Sequence, residues 1–271
     1  SIIPLDDHKY GRFVEFINGD EYFVEKEGYY VPLNFINDNV VYFKTESNKV
    51  YGVDKVDVQY EYHFTELFKM DKVYKDKTVI ILGGGPSLNE LDVNLLKNTQ
   101  FIVVNSACRK VSKFAIKDDI LYFSDNSWNE NWPNLTLSWP GIVVTSNRNT
   151  KARLGNLVNR LNINDLTNFM EVKSDYVQAS SGHTAACLGV YLGSKKIILI
   201  GFECKFINGK SHGHDDYRMD DTGPFKNRFL PGWKGLSLRF KELGVQVINS
   251  TPDSEIKDFE YMDLEKAINH A

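Results

Sequence analysis

Residues 77–88 read KTVIILGGGPSL, a short apolar run that stops at three glycines. The run Val79–Leu82 is typical of a parallel strand whose two faces are both buried. Glycine lets the backbone approach a ligand closely, and the start of a following helix carries a partial positive charge. The stretch therefore predicts a strand followed by a phosphate-binding loop at Gly83–Ser87. The loop has neither the GxGxxG pattern of dinucleotide-binding proteins nor the GK[ST] of a Walker loop.

The alternation that begins at Lys77 continues to the end of the chain. Val- and Ile-rich runs are separated by longer amphipathic stretches, which predicts a Rossmann-like, doubly wound α/β domain with a mostly parallel sheet. The predicted strands are Val79–Leu82, Phe101–Val104, Ile120–Phe123, Ile142–Thr145, Ile197–Ile200 and Val245–Ile248, and the predicted helices are Leu88–Leu96, Ala152–Leu161, His183–Leu192 and Pro231–Leu243.

The first 70 residues have a different pattern. Short runs rich in aromatic and β-branched residues are separated by turn signals such as Asn18-Gly19, which predicts a small antiparallel β sheet with a helix near Phe64–Met70. We therefore expect two domains, a β-rich accessory domain at 1–70 and a Rossmann-like nucleotide-binding transferase domain at 71–271. The predicted strands of the first are Phe13–Ile17, Glu21–Glu25, Tyr29–Leu33, Val40–Lys44 and Val50–Val53.

The composition is that of a folded globular protein. The chain has 271 residues, 42% of them hydrophobic, and a net charge of −4. No apolar run approaches the roughly 20 residues of a membrane helix, so no membrane span is expected. The three cysteines form no CxxC pair, which favours reduced, buried thiols and a cytoplasmic protein. Residues 1–70 carry 7 Lys/Arg against 13 Asp/Glu, so a polyanionic partner would meet the second segment.

Small polar side chains follow the other predicted strands. They are Asn105 after the second run, Asp125 after the third, and Ser146 and Asn147 after the fourth. Because parallel strands end at one edge of a sheet, where α/β proteins bind ligands, we expect these residues near one site. They could contact a base or a ribose, or Asp125 could hold a metal ion.

Two later segments add candidate site residues. Ser180, Ser181 and Gly182 precede a predicted helix and would form a second anion-binding segment. His183, in the first turn of that helix, would contact the ligand or serve as a packing and capping residue.

The polar loop Asn208–Tyr217 contains His212 and His214. These histidines are candidates for a general base or for contacts with phosphate oxygens. The following Asp215 and Asp216 leave a metal-binding tract open as an alternative, alongside an ordinary solvated loop.

These motifs resemble the bacterial lipooligosaccharide sialyltransferase family and the wider group that contains flagellin-modifying glycosyltransferases and archaeal-type 6-hydroxymethyl-dihydropterin pyrophosphokinases. The resemblance covers about residues 75–265 and departs from the sialyltransferases at Gly84, where they carry Asn, and at Glu203, where they carry Asp. The segments that carry it are Lys77–Leu88 with Asp92 and Asn105, Ser180–Gly182, Leu192–Ile197 with Gly201–Glu203, and Asn249–Ser254.

The resemblance implies a nucleotide-sugar donor such as CMP-sialic acid, no required metal, and a late histidine as base. It implies His212 or His214 as that base. Nucleobase contacts would come from Asn249, Thr251 and Ser254. Contacts to the nucleotide and its phosphate would come from Gly83, Gly84, Gly85, Pro86, Ser87, Asn105, Ser180, Ser181, Gly182 and His183.

The sequence thus predicts an inverting, sialyltransferase-like glycosyltransferase with a CMP- or UDP-linked donor. Its acceptor would be a hydroxyl of a glycan, a protein or a modified nucleic acid, and a homo-oligomer is a further expectation. One alternative is a Mg²⁺-dependent pyrophosphokinase of a pterin-like substrate, with Asp125, Asp215 and Asp216 as metal ligands. Two others are a DNA-base-modifying glycosyltransferase and a non-enzymatic module that binds a nucleotide or glycan.

Overall fold

The computed structural model describes residues 72–147, 158–214 and 222–270 and, before them, the backbone of seven short strands. Five of these strands form an antiparallel sheet in the order β1-β7-β6-β5-β2, and β3 pairs with β4. The antiparallel pairing agrees with the prediction, whereas the expected helix near Phe64–Met70 and the expected domain boundary at 70/71 lie outside the described residues. The strands are β1 Ile3–Asp6, β2 Gly11–Phe13, β3 Phe16–Ile17, β4 Asp20–Glu21, β5 Lys26–Pro32, β6 Val40–Lys44 and β7 Lys49–Asp54.

The remaining strands form one eight-stranded sheet in the order β12-β11-β10-β9-β8-β13-β14-β15, with parallel pairing. This confirms the predicted Rossmann-like α/β fold, and the six predicted strands are all present. Their bounds are β8 Thr78–Leu82, β9 Gln100–Val104, β10 Ile120–Phe123, β11 Ile142–Thr145, β12 Asn159–Arg160, β13 Lys196–Ile200, β14 Gln246–Asn249 and β15 Glu260–Tyr261.

The strand order reverses between β8 and β13. From β8 the chain adds β9 to β12 on one side, and it then returns to add β13, β14 and β15 on the other. The two strands pair in register, with Val79 opposite Ile197 and Leu82 opposite Ile200, so their carboxyl ends lie side by side. Doubly wound proteins bind their ligands at such a switch point, which directs attention to the loops after β8 and β13.

The centre of the sheet is buried on both faces. The side chains of Val79–Leu82 and Ile197–Leu199 are fully inaccessible to solvent, which explains why these strands lack the alternating pattern of a half-exposed sheet. Helix α6 packs on them, and Gly189 in its last turn brings it close to Ile197 of β13. The helices are α1 Cys108–Val111, α2 Asn126–Asn131, α3 Pro133–Leu137, α4 Ile163–Met170, α5 Ser174–Val177, α6 Ser181–Tyr191, α7 Leu230–Glu242 and α8 Leu264–Asn269.

Two of the four predicted helices are correct. The predictions at 183–192 and 231–243 correspond to α6 and α7, and a π-helical turn, Phe225–Phe229, precedes α7. The prediction at 88–96 is wrong, because two separate 3₁₀ turns lie there, Pro86–Glu90 and Val93–Leu96. Leu91 is extended between them and Asp92 accepts a hydrogen bond from the Asn94 amide, so the second turn begins anew.

The prediction of a helix at 152–161 is also not met in its described part. Residues 152–157 lie outside the described residues, and the end of the segment contains strand β12, which pairs with β11. The Leu161 amide donates to the Thr145 carbonyl, which extends this pairing by one residue. Pairing with a neighbouring strand overrides local helical propensity here.

The chain divides into two compact units. One comprises Ser1–Lys69 and Phe123–Leu161, and the other comprises Met70–Tyr122 and Asn162–Ala271. None of the helices in the described part of the chain has the length and apolar composition required to cross a membrane. The three cysteines, Cys108, Cys187 and Cys204, are buried and free, as the sequence predicts.

Asp119 fastens the turn before β10 to the neighbouring strand β9. Its carboxylate is fully buried, with Oδ1 accepting the Phe101 amide at 3.1 Å and Oδ2 accepting the Ile116 amide at 2.8 Å. The neighbouring Asp118 has a partly exposed side chain, and the amino-acid sequence alone does not distinguish it from Asp119. Burial of the carboxylate therefore decides which of the two aspartates is structural.

We expect Asp119→Ala to lower the free energy of unfolding by about 2–4 kcal/mol, because it leaves the buried Phe101 amide and the partly buried Ile116 amide without acceptors. Asp118→Ala is the matched control and should change it by less than about 0.5 kcal/mol. Urea denaturation followed by circular dichroism measures both. Equal effects of the two substitutions would contradict the assigned role of Asp119.

Candidate functional site

The glycine loop after β8 is held by the backbone that follows β13. The Gly83 amide donates to the Ile200 carbonyl at 2.7 Å, and the Gly85 amide donates to the Gly201 carbonyl at 2.8 Å. A Cβ at position 83 or 85 would lie 2.6 Å from the Gly201 carbonyl oxygen. Two of the three glycines are therefore required by the close approach of two backbone segments, whether or not a ligand binds.

A buried carboxylate occupies the space beside this loop. Glu203 follows β13, and its Oε1 accepts the Ser87 amide at 2.5 Å. Its Oε2 lies 1.6 Å from where a Cβ of residue 85 would stand and has no hydrogen-bond partner among the described residues. The negative charge of Glu203 thus lies where the sequence predicted a phosphate.

Few loop amides remain for an anion. Those of Gly83, Gly85 and Ser87 already donate within the protein, and Pro86 has none. Among the described residues only Gly84 of this loop has an amide without an acceptor. Moreover, the loop leads into a five-residue 3₁₀ turn, not the predicted α-helix, so the expected helix-end charge is small. Phosphate binding by Gly83–Ser87 stays a prediction.

The two candidate base histidines lie against Gly84. The Gly213 amide, between them, donates to the Gly84 carbonyl at 2.8 Å. A Cβ at position 84 would stand 3.1 Å from His214 Nε2 and 3.3 Å from His212 Cδ2, and the two rings are 5.3 Å apart. The loop thus places both imidazoles at the switch point of the sheet.

His212 is unprotonated at neutral pH. Burial lowers its pKa to about 4, and the neighbouring His214 acts in the same direction. Its Nδ1 lies 2.8 Å from the Ser211 hydroxyl. A neutral imidazole can accept a proton on its unprotonated ring nitrogen. A general base must be in this neutral state.

The start of α6 contains a second, fully buried histidine. The Ser180 hydroxyl donates to His183 Nδ1 at 2.7 Å, and His183 Nε2 donates to the Phe229 carbonyl at 2.9 Å. The ring stacks on Trp233 with centroids 3.9 Å apart. Burial lowers the His183 pKa to about 3, so the ring stays neutral and connects α6 to the turn before α7. Both ring nitrogens are engaged, and a contact of His183 with a ligand stays a prediction.

Phe202 brings the two predicted glycine segments together. A Cβ at Gly83 would lie 2.8 Å from its Cζ, and a Cβ at Gly182 would lie 2.2 Å from its Cε1. The loop after β8 and the start of α6 therefore pack on one aromatic ring. Ser181 lies beside Gly182 in the first turn of α6 and is partly exposed.

The side chains of the predicted nucleobase residues form hydrogen bonds to protein backbone. Thr251 Oγ1 accepts the Phe202 amide at 3.1 Å, and the Ser254 hydroxyl donates to the Phe202 carbonyl at 2.6 Å. Asn249 Oδ1 accepts the Thr251 amide at 3.1 Å. All three side chains are buried; those of Thr251 and Ser254 fix the segment after β13, and that of Asn249 fixes the segment after β14. Their contact with a nucleobase stays a prediction.

Two further predicted residues lie at other strand ends. Asn105 is buried after β9 in a left-handed conformation, φ +50°, which asparagine tolerates better than most residues. Asp125 is exposed at the start of α2, in the other compact unit. Asp215 and Asp216, the alternative metal ligands, lie outside the described residues.

Sequence reasoning missed Glu203 and Phe202 as site residues. Both come shortly after the apolar run of β13, separated from Ile200 by Gly201. An acidic residue three positions after a buried strand, at the switch point, was the available signal. It could not reveal that the side chain turns back under the glycine loop.

This chain is similar to a known protein family and to a solved glycosyltransferase structure. Residues 54–209 match the family model described as 6-hydroxymethylpterin diphosphokinase MptE-like. The solved structure of the MAf glycosyltransferase from Magnetospirillum magneticum AMB-1 is similar over 76% of this chain, with 13% identity and a TM-score of 0.48. The chain spans 35% of that protein's length. No curated protein matches the chain.

We expect Gly182→Ala to destabilise the protein by about 1–3 kcal/mol, because its Cβ would collide with Phe202 in a packed core. Gly189→Ala in the same helix is the matched control. There the nearest atom is the flexible end of Ile197 at 3.0 Å, and the gain in helix propensity offsets the contact. Thermal unfolding of both variants tests this, and a Gly182→Ala protein as stable as Gly189→Ala would contradict it.

We expect His183 to make the protein less stable in acid. Its folded-state pKa of about 3 lies below the ordinary 6.5, so only the unfolded chain takes up this proton as the pH falls from 6.5 towards 3. At about 1.4 kcal/mol per pKa unit, the loss of stability should reach roughly 5 kcal/mol by pH 3, with His212 adding to it in the same direction.

Unfolding free energies measured from pH 7 to pH 4 check this expectation. His183→Gln should flatten the pH dependence, whereas His270→Ala, which changes an exposed histidine, should preserve it. An unchanged slope in His183→Gln would contradict a neutral, buried His183.

Proposed function

The chain belongs to the MptE-like family, described as 6-hydroxymethylpterin diphosphokinase MptE-like, and from that premise we propose that it is a nucleotide-dependent transferase of the glycosyltransferase type. It would bind a CMP- or UDP-linked sugar and transfer the sugar to an acceptor hydroxyl. The acceptor would be a glycan, a protein or a modified nucleic acid.

One observation carries this proposal. The loop with His212 and His214 lies against Gly84, at the point where the strand order reverses between β8 and β13. Ligands of doubly wound sheets bind in this position, and an unprotonated histidine at such a site can act on a bound hydroxyl. The low pKa of His212 supports the unprotonated state.

The reaction can be written for these residues. A histidine of the loop accepts the proton of the acceptor hydroxyl while the oxygen forms a bond to the anomeric carbon of the sugar. The bond from that carbon to the donor phosphate breaks, and the nucleotide leaves with the electron pair. Inversion at the anomeric carbon follows from a single displacement. The first turn of α6, at Ser181 and Gly182, offers partial positive charge for the departing phosphate.

The family description favours a second candidate, transfer of a diphosphate from ATP to the hydroxyl of a hydroxymethylpterin. The same histidine would accept the hydroxyl proton, and AMP would leave from the β-phosphorus. Such reactions use Mg²⁺ to neutralise phosphate charge. Among the described residues no three His, Cys, Asp or Glu side chains come together as a metal site. Mg²⁺ bound with a nucleotide needs only one or two protein carboxylates besides the phosphates, so the donor experiment below decides between the two candidates.

The experiment compares both donor classes with the purified protein. Nucleotide sugars of CMP and UDP are incubated without metal, and ATP is incubated with Mg²⁺ and 6-hydroxymethylpterin, with release of CMP, UDP or AMP as the readout. Release of CMP or UDP supports sugar transfer. Release of AMP alone, dependent on the pterin, would replace that proposal with the diphosphokinase.

Histidine variants then test the base. We expect alanine at the catalytic position, 212 or 214, to lower kcat by about 10²–10⁴-fold, with little change in donor KM. The control His270→Ala should retain activity. If His212 is the base, the acidic limb of the rate profile should lie near its pKa of about 4. Full activity of both the His212→Ala and His214→Ala proteins would exclude a histidine base.

A further inference from the structure

Four neighbouring strands are each followed by a buried polar atom that has no hydrogen-bond partner among the described residues. In sheet order these are Asn105 Oδ1 after β9, Ser87 Oγ after β8, Glu203 Oε2 after β13 and Ser250 Oγ after β14. Buried polar atoms in folded proteins nearly always have a partner, so each exception requires a cause. All four follow the carboxyl ends of strands, where doubly wound sheets bind ligands.

The other unpartnered buried atoms in the described chain lack this arrangement. They belong to residues on a strand start, an edge strand and two helices, namely Gln100, Arg160, Thr167 and Trp233. Only the first group occupies one edge of four adjacent strands. One ligand bound at that edge would account for all four unpartnered atoms. Separate local causes would not explain why the four follow adjacent strands.

The chemistry of these atoms defines the ligand. The carboxylate of Glu203 and the amide oxygen of Asn105 accept hydrogen bonds, and the two serine hydroxyls can either donate or accept. A phosphate offers only acceptor oxygens at neutral pH, and its charge would be repelled by Glu203. The fitting group is neutral and carries hydrogen-bond donors, such as sugar hydroxyls or the N–H groups of a base.

We propose that Glu203 and Asn105 accept hydrogen bonds from the nucleoside part of the donor, so that the glycine loop binds a nucleoside and not a phosphate. This inference rests on the proposed function and names the part of the donor that each segment contacts. The shared chemistry is a hydrogen-bond donor, supplied either by a ribose hydroxyl or by an amino or ring N–H of the base.

In this proposal the ligand enters beside the glycine loop, past the segment Ser211–His214 that lies against it. The atoms are closed to solvent, and Gly213 of this segment lies against the loop, with its Cβ position 3.0 Å from the Gly85 carbonyl oxygen. Displacement of the segment would open the loop to the nucleoside. The same displacement would leave His212 and His214 beside the entering donor.

The substitution Glu203→Gln tests the proposal with little change in shape. The glutamine oxygen can still accept the Ser87 amide, while an amide NH₂ replaces the accepting oxygen Oε2 and removes the charge. Glu255→Gln is the matched control, since Glu255 is an exposed glutamate whose side chain pairs with Lys205. The probes are cytidine, uridine, guanosine and adenosine, their 2′,3′-dideoxy forms, and inorganic pyrophosphate, with binding followed by ligand-detected NMR.

We expect at least one nucleoside to bind the native protein and to bind Glu203→Gln roughly tenfold or more weakly, the equivalent of one charge-assisted hydrogen bond. Pyrophosphate binding should change little, and Glu255→Gln should match the native protein. Weaker binding of the dideoxy form would assign the contact to the ribose, and equal binding would assign it to the base.

Three results would overturn the proposal. They are the absence of nucleoside binding by the native protein, equal nucleoside affinity of Glu203→Gln, and pyrophosphate binding strengthened by that substitution, which would place phosphate at Glu203. If Glu203→Gln fails to fold, Ser250→Ala takes its place, with an expected loss of about threefold or more for one hydroxyl. Nucleoside binding without donor turnover would retain this subsite and reject the transferase, whereas turnover without nucleoside binding would do the reverse.

Discussion

The backbone contact between the glycine loop and the residues after β13 is the constraint on which the site depends. Gly83 and Gly85 donate hydrogen bonds across the switch point to Ile200 and Gly201, at a separation that no Cβ at either loop position would allow. Gly201 in turn has φ +76°, a conformation that favours glycine. The approach directs the chain after β13 so that Glu203 passes beneath the loop and Phe202 reaches both Gly83 and α6. The glycines therefore build the site by bringing protein segments together, which a nucleotide-binding motif read by itself does not reveal.

Much of the fold could be predicted from the sequence, because the buried parallel strands are continuous runs of Val, Ile and Leu that few other structures accommodate. Val79–Leu82 and Ile197–Ile200 are such runs, and both are strands. The helices α6 and α7 were predictable because their segments are longer than the strands and lack the continuous Val- and Ile-rich runs. The failures are short elements decided by contacts distant in sequence. The two 3₁₀ turns after Pro86 depend on where the loop leaves the sheet, and β12 forms because β11 lies beside it.

The grouping of segments at the candidate site was predictable, whereas the contacts of their individual side chains were not. Strand ends near the switch point could be found from the sequence, and His212, His214 and the glycine loop do lie together there. The use of individual side chains could not be found in this way. Asn249, Thr251 and Ser254 have the residue types of a ligand-binding segment, yet their side chains satisfy buried backbone groups around Phe202 and Thr251. Serine, threonine and asparagine serve both purposes equally well, so only the partner of each polar atom distinguishes them.

The hydrogen-bond partners of the ring nitrogens and the degree of burial also distinguish His183 from His212. Burial lowers the pKa of both His183 and His212, so a low pKa alone does not identify a catalytic imidazole. His183 has both nitrogens bonded within the protein and a stacked tryptophan, so a proton or substrate finds no position beside it. His212 is only partly buried and lies in a loop attached to Gly84 by a backbone hydrogen bond. A catalytic base must release its proton again after each turnover, which requires access to solvent or to a second group. Of the two, His212 has the solvent exposure that this cycle needs. His183 is fully buried, and its two hydrogen bonds connect α6 to the turn before α7.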